Sequence, residues 1–334
     1  MDAIVWAEFL PTFLAMLAAG LFAGFAAGIF GIGGGFVVVP ALYAIFTFLG
    51  SDPAVTTHVA IGTSLGTIIV TSLRSVQAHA RRGAVDFDVL KTWAPWIVLG
   101  VMLGLVLAKS IDGQSLTLVF AIGVFIMGLY MMFGRAGALK VADKMPTGWL
   151  RAALATFVGS FASLMGIGGG TFAILVMTLF GKSIHHAIAT AAGFGVIIAV
   201  PGAIGFAIIG WGAEGLPPGS IGYVNLIGLV AITAMTAMTA PLGAYVAHKM
   251  NPDVLKRAFA TYLLLTTGVM FFDAYQQRAA GPQPLIAEAA TLQHFASAVS
   301  EKNYQAFSGA PPEEGLSYYE PPPRAESQGG EAER

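Results

Sequence analysis

Six stretches of this chain, roughly residues 54–80, 86–108, 113–133, 186–210, 221–247 and 254–273, are each predominantly apolar over about 20 residues or more. A helix of about that length crosses the hydrocarbon layer of a bilayer, where every backbone N–H and C=O must find its partner inside the protein. Six such runs leave one class of fold, helices packed side by side in a membrane. Only 10% of the 334 residues are charged and the net charge is −1, against about 25% charged in soluble domains. No basic face for nucleic acid is therefore expected. Cysteine is absent, which excludes disulfides, thiolate metal sites and cysteine nucleophiles. The N-terminal stretch "MDAIVWAEFLPTF" carries Asp2 and Glu8 but no Lys or Arg, and the first basic residue of the chain is Arg74. A secretory signal needs a positive leading segment, so this first stretch is expected to stay as a helix.

Two further apolar stretches, residues 5–49 and 149–181, are interrupted by the same pentapeptide, GIGGG, at 31–35 and again at 166–170. Glycine in a helix interior costs about 1 kcal/mol relative to alanine, and successive glycines do not share a helix face. The clusters therefore read as breaks. Gly20, Gly24 and Gly28, the pair Gly62 and Gly66, and the pair Gly100 and Gly104 are instead spaced by four, as close-packing faces are. Each break opens a half of the chain, and the halves correspond further along: "HVAIGTSLG" from His58 with "HAIATAAGFG" from His186, and "LGLVLAKSIDG" at 103–113 with "LGAYVAHKMNP" at 242–252. An internal repeat in a membrane chain points to a transporter with its site between the repeats.

Charge sets the relative orientation of the halves. Arg81 and Arg82 follow the first long run, whereas the equivalent "GWGAEGLPPGS" at 210–220 has no basic residue. "KSID" at 109–112 has one, whereas "HKMNPDVLKR" at 248–257 has three besides its histidine. The positive-inside rule then puts equivalent loops on opposite sides of the membrane. It makes the 134–148 linker cytoplasmic and both termini external. The expectation is an all-α polytopic membrane protein of two inverted repeats, residues 1–133 and 149–275. Each repeat is a GIGGG-broken helical hairpin plus three transmembrane helices, giving eight to ten membrane segments. The arms 150–165 and 169–181 are short for crossing, which favours a hairpin that turns within the membrane. Residues 276–334 form a polar tail rich in Pro, Glu and Gly, expected to be largely disordered, with one short amphipathic helix conceivable at 285–300.

A helix that restarts inside the membrane presents unpaired N–H groups and a partial positive charge, an anion site without a cationic side chain. Gly31, Gly33, Gly34 and Gly35 of the first break and Gly166, Gly168, Gly169 and Gly170 of the second are the candidate substrate-binding residues. Two such breaks entering from opposite faces would meet near the midplane. The duplicated GIGGG, followed in the first copy by Pro40 and by "HVAIGTSL", resembles the sulfite exporter TauE/SafE family over roughly residues 5–275. The resemblance implies a carrier of the inner membrane that exports sulfite, sulfonates or related small anions. The second copy departs from the first, with Thr171 where Phe36 stands and no counterpart to Pro40, so equal binding by the two breaks is not implied.

Side chains that would join the site lie on the run from residue 54. Thr56, Thr63, Thr67, Thr71 and Arg74 recur at near-helical spacing, flanked by Thr57, His58 and Ser64. Hydroxyls and an Arg fork suit oxyanions, which makes Thr63, Ser64, Thr67 and Arg74 candidate ligands. The competing readings are a threonine bonded to its own preceding turn and an arginine snorkelling to the interface. His58 and His186 open equivalent helices and are candidates for proton handling or gating, against a reading as solvated interfacial residues. Thr233, Thr236 and Thr239, before Pro241, read as packing around a kink. Trp6, Trp93, Trp96, Trp149 and Trp211 read as interface anchors.

No dinucleotide fingerprint, P-loop, HExxH or GxSxG motif is complete, and no intramembrane carboxylate pair stands out. An enzyme is therefore not expected, nor is a cofactor or metal. The reading is a secondary transporter of a small anion across the cytoplasmic membrane by alternating access. Export is favoured by the membrane potential, at about 2.3 kcal/mol per charge per 100 mV. The alternatives are a passive anion channel and, in another class, a membrane scaffold presenting its acidic tail.

Overall fold

The computed structural model describes residues 3–30, 34–133, 141–247, 249 and 251–279. Gly31, Gly33, residues 134–140 of the linker and the tail from residue 280, with its 285–300 stretch, lie outside the described residues. Among the described residues the elements run α1 (Ala3–Phe30), α2 (Gly35–Phe48), α3 (Pro53–Ala80), α4 (Phe87–Ser110), α5 (Gly113–Phe133), α6 (Gly148–Met165), α7 (Gly170–Leu179), α8 (Ile184–Ile209), β1 (Ser220–Ile221), β2 (Val224–Asn225), α9 (Leu226–Ala247) and α10 (Pro252–Ala279). Helices α3, α4, α5, α6, α8, α9 and α10 contain stretches long and apolar enough to cross a membrane, and α2 and α7 are shorter apolar helices. The chain is an all-α polytopic membrane protein, the short β1–β2 hairpin aside.

Side-chain oxygens cap several of the long spans, whereas the helices that follow the breaks, like α6 after Thr147, have no such cap. Asp52 caps α3 by accepting the Ala54 N–H at 2.8 Å, with Pro53 as first helical residue. Asp86 caps α4 through the Val89 N–H, and Asp112 accepts the Ser115 N–H at the start of α5. Such oxygens satisfy N–H groups that a helix start leaves bare. Helices α2 and α7 have no such cap. They begin after Gly34 (φ 79°) and Gly169 (φ 72°), both left-handed, a conformation that costs other residues about 1–2 kcal/mol.

One boundary differs from the sequence reading. The helix expected over 221–247 begins at Leu226, because Ile221 and Val224 pair across a tight antiparallel hairpin. Gly219 (φ 78°) and Gly222 (φ 52°) take positive φ there, which ends helical continuity. Asn225 then starts α9, its Oδ1 accepting the Gly228 N–H at 2.8 Å.

Helix α3 is the centre of the packing, and every residue from Val55 to Ile68 is buried. A helix apolar or neutral all round needs neighbours all round, and α3 packs against α2, α5, α8 and α9. Outside it, α1 lies along α9 and α4 along α6. Small residues permit these approaches. A Cβ on Gly28 would stand 2.0 Å from the Ala240 carbonyl oxygen of α9, and one on Gly100 would stand 2.1 Å from the Thr156 oxygen of α6. The glycines spaced by four are thus packing faces, worth van der Waals contact where lipid tails supply no hydrophobic drive.

Candidate functional site

The two breaks lie against each other and against the middle of α3. A Cβ on Gly35 would stand 2.7 Å from both the Gly166 oxygen and the Ile167 Cα, and one on Gly166 would lie 3.1 Å from the Ile61 Cα. The Ser64 hydroxyl donates to the Gly166 carbonyl at 2.8 Å, tying the second break to α3. This bond occupies an oxygen freed where α6 stops, an otherwise costly buried acceptor.

The two helix starts at this junction are not alike. In α2 the Val37 and Val38 N–H groups return to the Gly34 oxygen. Phe36, fully buried and edge-on to Phe259 with ring centroids 6.4 Å apart, fills the space beside that start. In α7 the first helical bond runs from the Ala173 N–H to the Gly169 oxygen at 2.9 Å, leaving the Gly170, Thr171 and Phe172 N–H groups ahead of it. The Thr171 hydroxyl beside them is buried without a partner. Gly168 and Gly170 open onto a cavity of about 280 Å³, at the lower limit of ordinary ligand pockets. The other walls are Ala27 and Gly28 of α1, a strip of α3 from Ile68 to His79, Ala191, Ala192 and Gly195 of α8, and Thr236 and Ala240 of α9. Its polar groups are hydroxyls of Thr71, Ser72, Ser75 and Thr236 and the imidazole of His79. Among the described residues no carboxylate lines it.

The sequence candidates divide between this cavity and other places. Gly168 and Gly170 line it. Gly34, Gly35, Gly166 and Gly169 form the junction behind it, and Gly31 and Gly33 lie outside the described residues. Thr63, fully buried, faces away and accepts the Asn225 N–H at 2.8 Å. Thr67 donates to the Ser64 carbonyl at 2.8 Å, its own preceding turn, as the competing reading has it. Arg74 is exposed on another face of α3. His58 and His186 are not equivalent. His186 is exposed, with Nδ1 3.0 Å from the Ala84 oxygen, while His58 is only 3% exposed. The cavity residues Ser72, Ser75 and His79 were not singled out from sequence. Their signal was a polar series at i, i+3 and i+7 one residue around the helix from the threonine stripe.

The end of α3 opposite His79 is covered. The Tyr223 ring of the β1–β2 hairpin packs on His58 with centroids 4.8 Å apart, and Phe206 of α8 stands at 6.5 Å. Asn225, 1% exposed, donates through Nδ2 to the Pro218 oxygen and Ser220 Oγ, so the hairpin is held internally as well as on Thr63. At the cavity-mouth end of α3, Asp86 pairs with Lys182 at 2.6 Å, and its N–H donates to Thr190 of α8. Burial pushes the Asp86 carboxyl up, but the Lys182 and Val89 hydrogen bonds outweigh it and hold the group below the usual carboxylate range. In α10 the Asp273 carboxylate accepts the Tyr43 hydroxyl of α2. Among the described residues no cluster of His, Asp, Glu or Cys has the make-up of a metal site.

Fold and site together define a polytopic membrane protein built around two interrupted helices that meet inside the bundle. The chain belongs to the sulfite exporter TauE/SafE family, which its residues 16–270 match. A "Probable membrane transporter protein" of Haemophilus influenzae is 32% identical over 258 residues, 77% of this chain and 97% of that one. Another of that description from Methanocaldococcus jannaschii is 26% identical over 264 residues, covering 77% of this chain and 94% of its own. "Probable membrane transporter protein YunE" of Bacillus subtilis is 30% identical over 188 residues, half of this chain. No solved structure matches. The protein is a multi-pass membrane transporter.

Proposed function

We propose that the protein is a secondary transporter that moves a small oxyanion, sulfite by the family's description or a related organosulfonate, outward across the cytoplasmic membrane. The observation that carries this is the start of α7. Its first turn has unpaired N–H groups where two broken helices meet, its first residue, Gly170, lines a small cavity together with Gly168, and the Thr171 hydroxyl is buried beside them without a partner. Helix N-termini attract anions by dipole and by free donors, and broken helices at a repeat interface are where secondary transporters bind. Neutral hydroxyls suit an anion that must also leave. A fixed cation would hold it, and a carboxylate would repel it.

Residues 1–133 and 149–275 act as inverted repeats in this reading, joined by a cytoplasmic linker at 134–148. What supports it is the exchange pattern of the packing. Swapping α1 to α5 for α6 to α10 turns the α1–α9 contact into α6–α4, the α2–α3 contact into α7–α8 and the α3–α9 contact into α8–α4, and all of these pairs pack. The hairpin over His58 and Thr63 covers the far end of α3, which favours a carrier over an open channel.

The test is anion-dependent melting of the purified protein with sulfite, sulfate and a small sulfonate, alongside uptake into proteoliposomes. A bound anion at 100 times its dissociation constant stabilises by about 2.7 kcal/mol. Ala192→Leu, which fills the cavity wall, should abolish the shift while leaving melting without anion unchanged. If no anion shifts melting and none crosses the proteoliposome membrane, the reading fails. If Ala192→Leu keeps full affinity, the site lies elsewhere.

A further inference from the structure

We propose that His58 is a proton-binding site whose protonation releases the β1–β2 hairpin from α3. The proton is then the ion that opens the side of the carrier away from the cavity. The proposal rests on the transporter reading, but its test uses no anion.

The geometry begins with the imidazole. Its Nε2 lies 2.9 Å from the Ala108 carbonyl oxygen at the last turn of α4. A carbonyl only accepts, so Nε2 carries the hydrogen and Nδ1 is left as the unprotonated nitrogen. Nδ1 is buried without a hydrogen-bond partner. A proton arriving there adds a positive charge and a new donor to a ring that is 3% exposed. Burying an unpaired donor costs about 1–3 kcal/mol, and a charged one more.

What covers the ring decides where that cost goes. On α3 and α4 it is backbone. The carbonyls of Ala54, Ala108 and Ile111 surround the imidazole, the last two at the negative end of a helix. Among the described residues the ionisable groups facing it are Asp112 at the start of α5 and the Tyr223 phenol on the hairpin, and from α8 the Phe206 ring stands against it. Asp112 is already engaged with the Ser115 N–H and hydroxyl. Carbonyls and a carboxylate attract the charged ring, so α3, α4 and α5 favour protonation. The aromatic lid and the exclusion of water oppose it. The charged ring is satisfied when Tyr223 withdraws and water reaches Nδ1, so protonation and hairpin release favour each other. The hairpin has few other ties to α3: the Asn225 N–H to Thr63 and the close approach of the Tyr223 oxygen to Gly62.

The absence of cysteine makes the test direct. Thr63→Cys places a thiol under the hairpin, and Glu214→Cys, at an exposed polar position of the 210–220 loop, serves as the solvent reference for thiol reactivity. Membrane-impermeant maleimide is applied to each at two pH values on either side of the ordinary histidine range, and the ratio of the rates is compared. The ratio should rise about tenfold at the acid pH in the His58 background, as for a single titrating histidine. It should be flat with His58→Gln, whose amide can still reach the Ala108 carbonyl. His79→Gln, remote from the hairpin, should keep the full response even if the His58→Gln protein does not fold. A ratio unchanged by pH in the His58 background overturns the proposal. So does an acid response that survives His58→Gln or is lost with His79→Gln. Failure of anion transport with an intact pH response would instead count against the transporter reading alone.

Discussion

Alanine at the two glycine caps should have unequal costs, and the difference can be worked out from the surroundings. Gly34 and Gly169 have nearly the same backbone, φ 79° and 72°, so each substitution carries about 1–2 kcal/mol of left-handed strain. Their space differs. Among the described residues a Cβ on Gly34 meets nothing closer than the Ala27 Cβ at 3.3 Å, while one on Gly169 overlaps the Ile198 Cδ1 at 2.3 Å. Forcing an extra methyl into packed surroundings costs about 1–3 kcal/mol more. Gly34→Ala is therefore expected to destabilise by about 1–2 kcal/mol and Gly169→Ala by about 2–5 kcal/mol. The overlapping atom is the end of one side chain, which supplies an internal control. Ile198→Val removes it at a cost of about 0.5–1.5 kcal/mol alone. In the Gly169→Ala background the same change should cost nothing or stabilise. The assay is unfolding by denaturant titration in micelles, followed by tryptophan fluorescence, for the two single caps, Ile198→Val and the double variant. Equal costs at 34 and 169, or additive costs in the double variant, would refute the claim that α7 starts in a tighter seat than α2.

Two further outcomes follow from the ends of α3. Asp86→Asn keeps a capping oxygen for α4 but loses the pair with Lys182, so it should destabilise by no more than about 1 kcal/mol near neutral pH. Because the Asp86 carboxyl is held below its usual range, the pair stabilises above the unfolded-state value and is lost as pH falls through the lower folded value. The gap between wild type and variant should then begin to narrow below about pH 4 and close once the lower folded value is passed, and a gap that does not change with pH would refute the ion pair as its source. The proposed inversion is read by cysteines at the exposed positions Arg82 and Glu214, which should label from opposite faces in oriented vesicles; same-face labelling ends the inverted repeat.

The long spans were legible because a bilayer demands about 20 apolar residues, and no other environment supplies that rule. The breaks were legible because clustered glycines serve no single helix face, and Thr171 against Phe36 already marked their inequality. The cavity was not legible. Its alanine and glycine walls, Ala191, Ala192 and Gly195, are a place where side chains are missing, and a missing side chain has no sequence pattern separate from close packing. The threonine stripe divides: Thr71 lines the cavity, while the local bonding of its members follows rules that the spacing does not show. Thr67 and Thr71 donate to carbonyls of their own preceding turn, and Thr63 accepts from a segment 162 residues away. The hairpin was missed because Ile221 and Val224 are as apolar as the helix they precede, while its markers, Gly219, Gly222 and Asn225, look alike in a loop and in a packed membrane helix.

The separate parts of the molecule acquire an order along α3. His58 and His79 are 21 residues apart on one helix, about 31 Å at 1.5 Å per residue, the thickness of the hydrocarbon layer. The hairpin closes one end, the cavity stands at the other, and Ser64 holds the second break between them. From Val55 to Ile68 the helix is buried on every side, and a packed interior resists bending. On the transport reading, then, α3 serves as the fixed rail, and access changes by motion of what leans on it: the hairpin at the His58 end, and α8 with the α3–α4 loop at the other. The bonds that must break are correspondingly few. They include His58 against Tyr223 and Thr63 to Asn225 at one end, and Asp86 to Lys182 and Thr190 with His186 to the Ala84 oxygen at the other. Each set joins residues from different halves of the chain, so rocking one half against the other opens one end as it tightens the other.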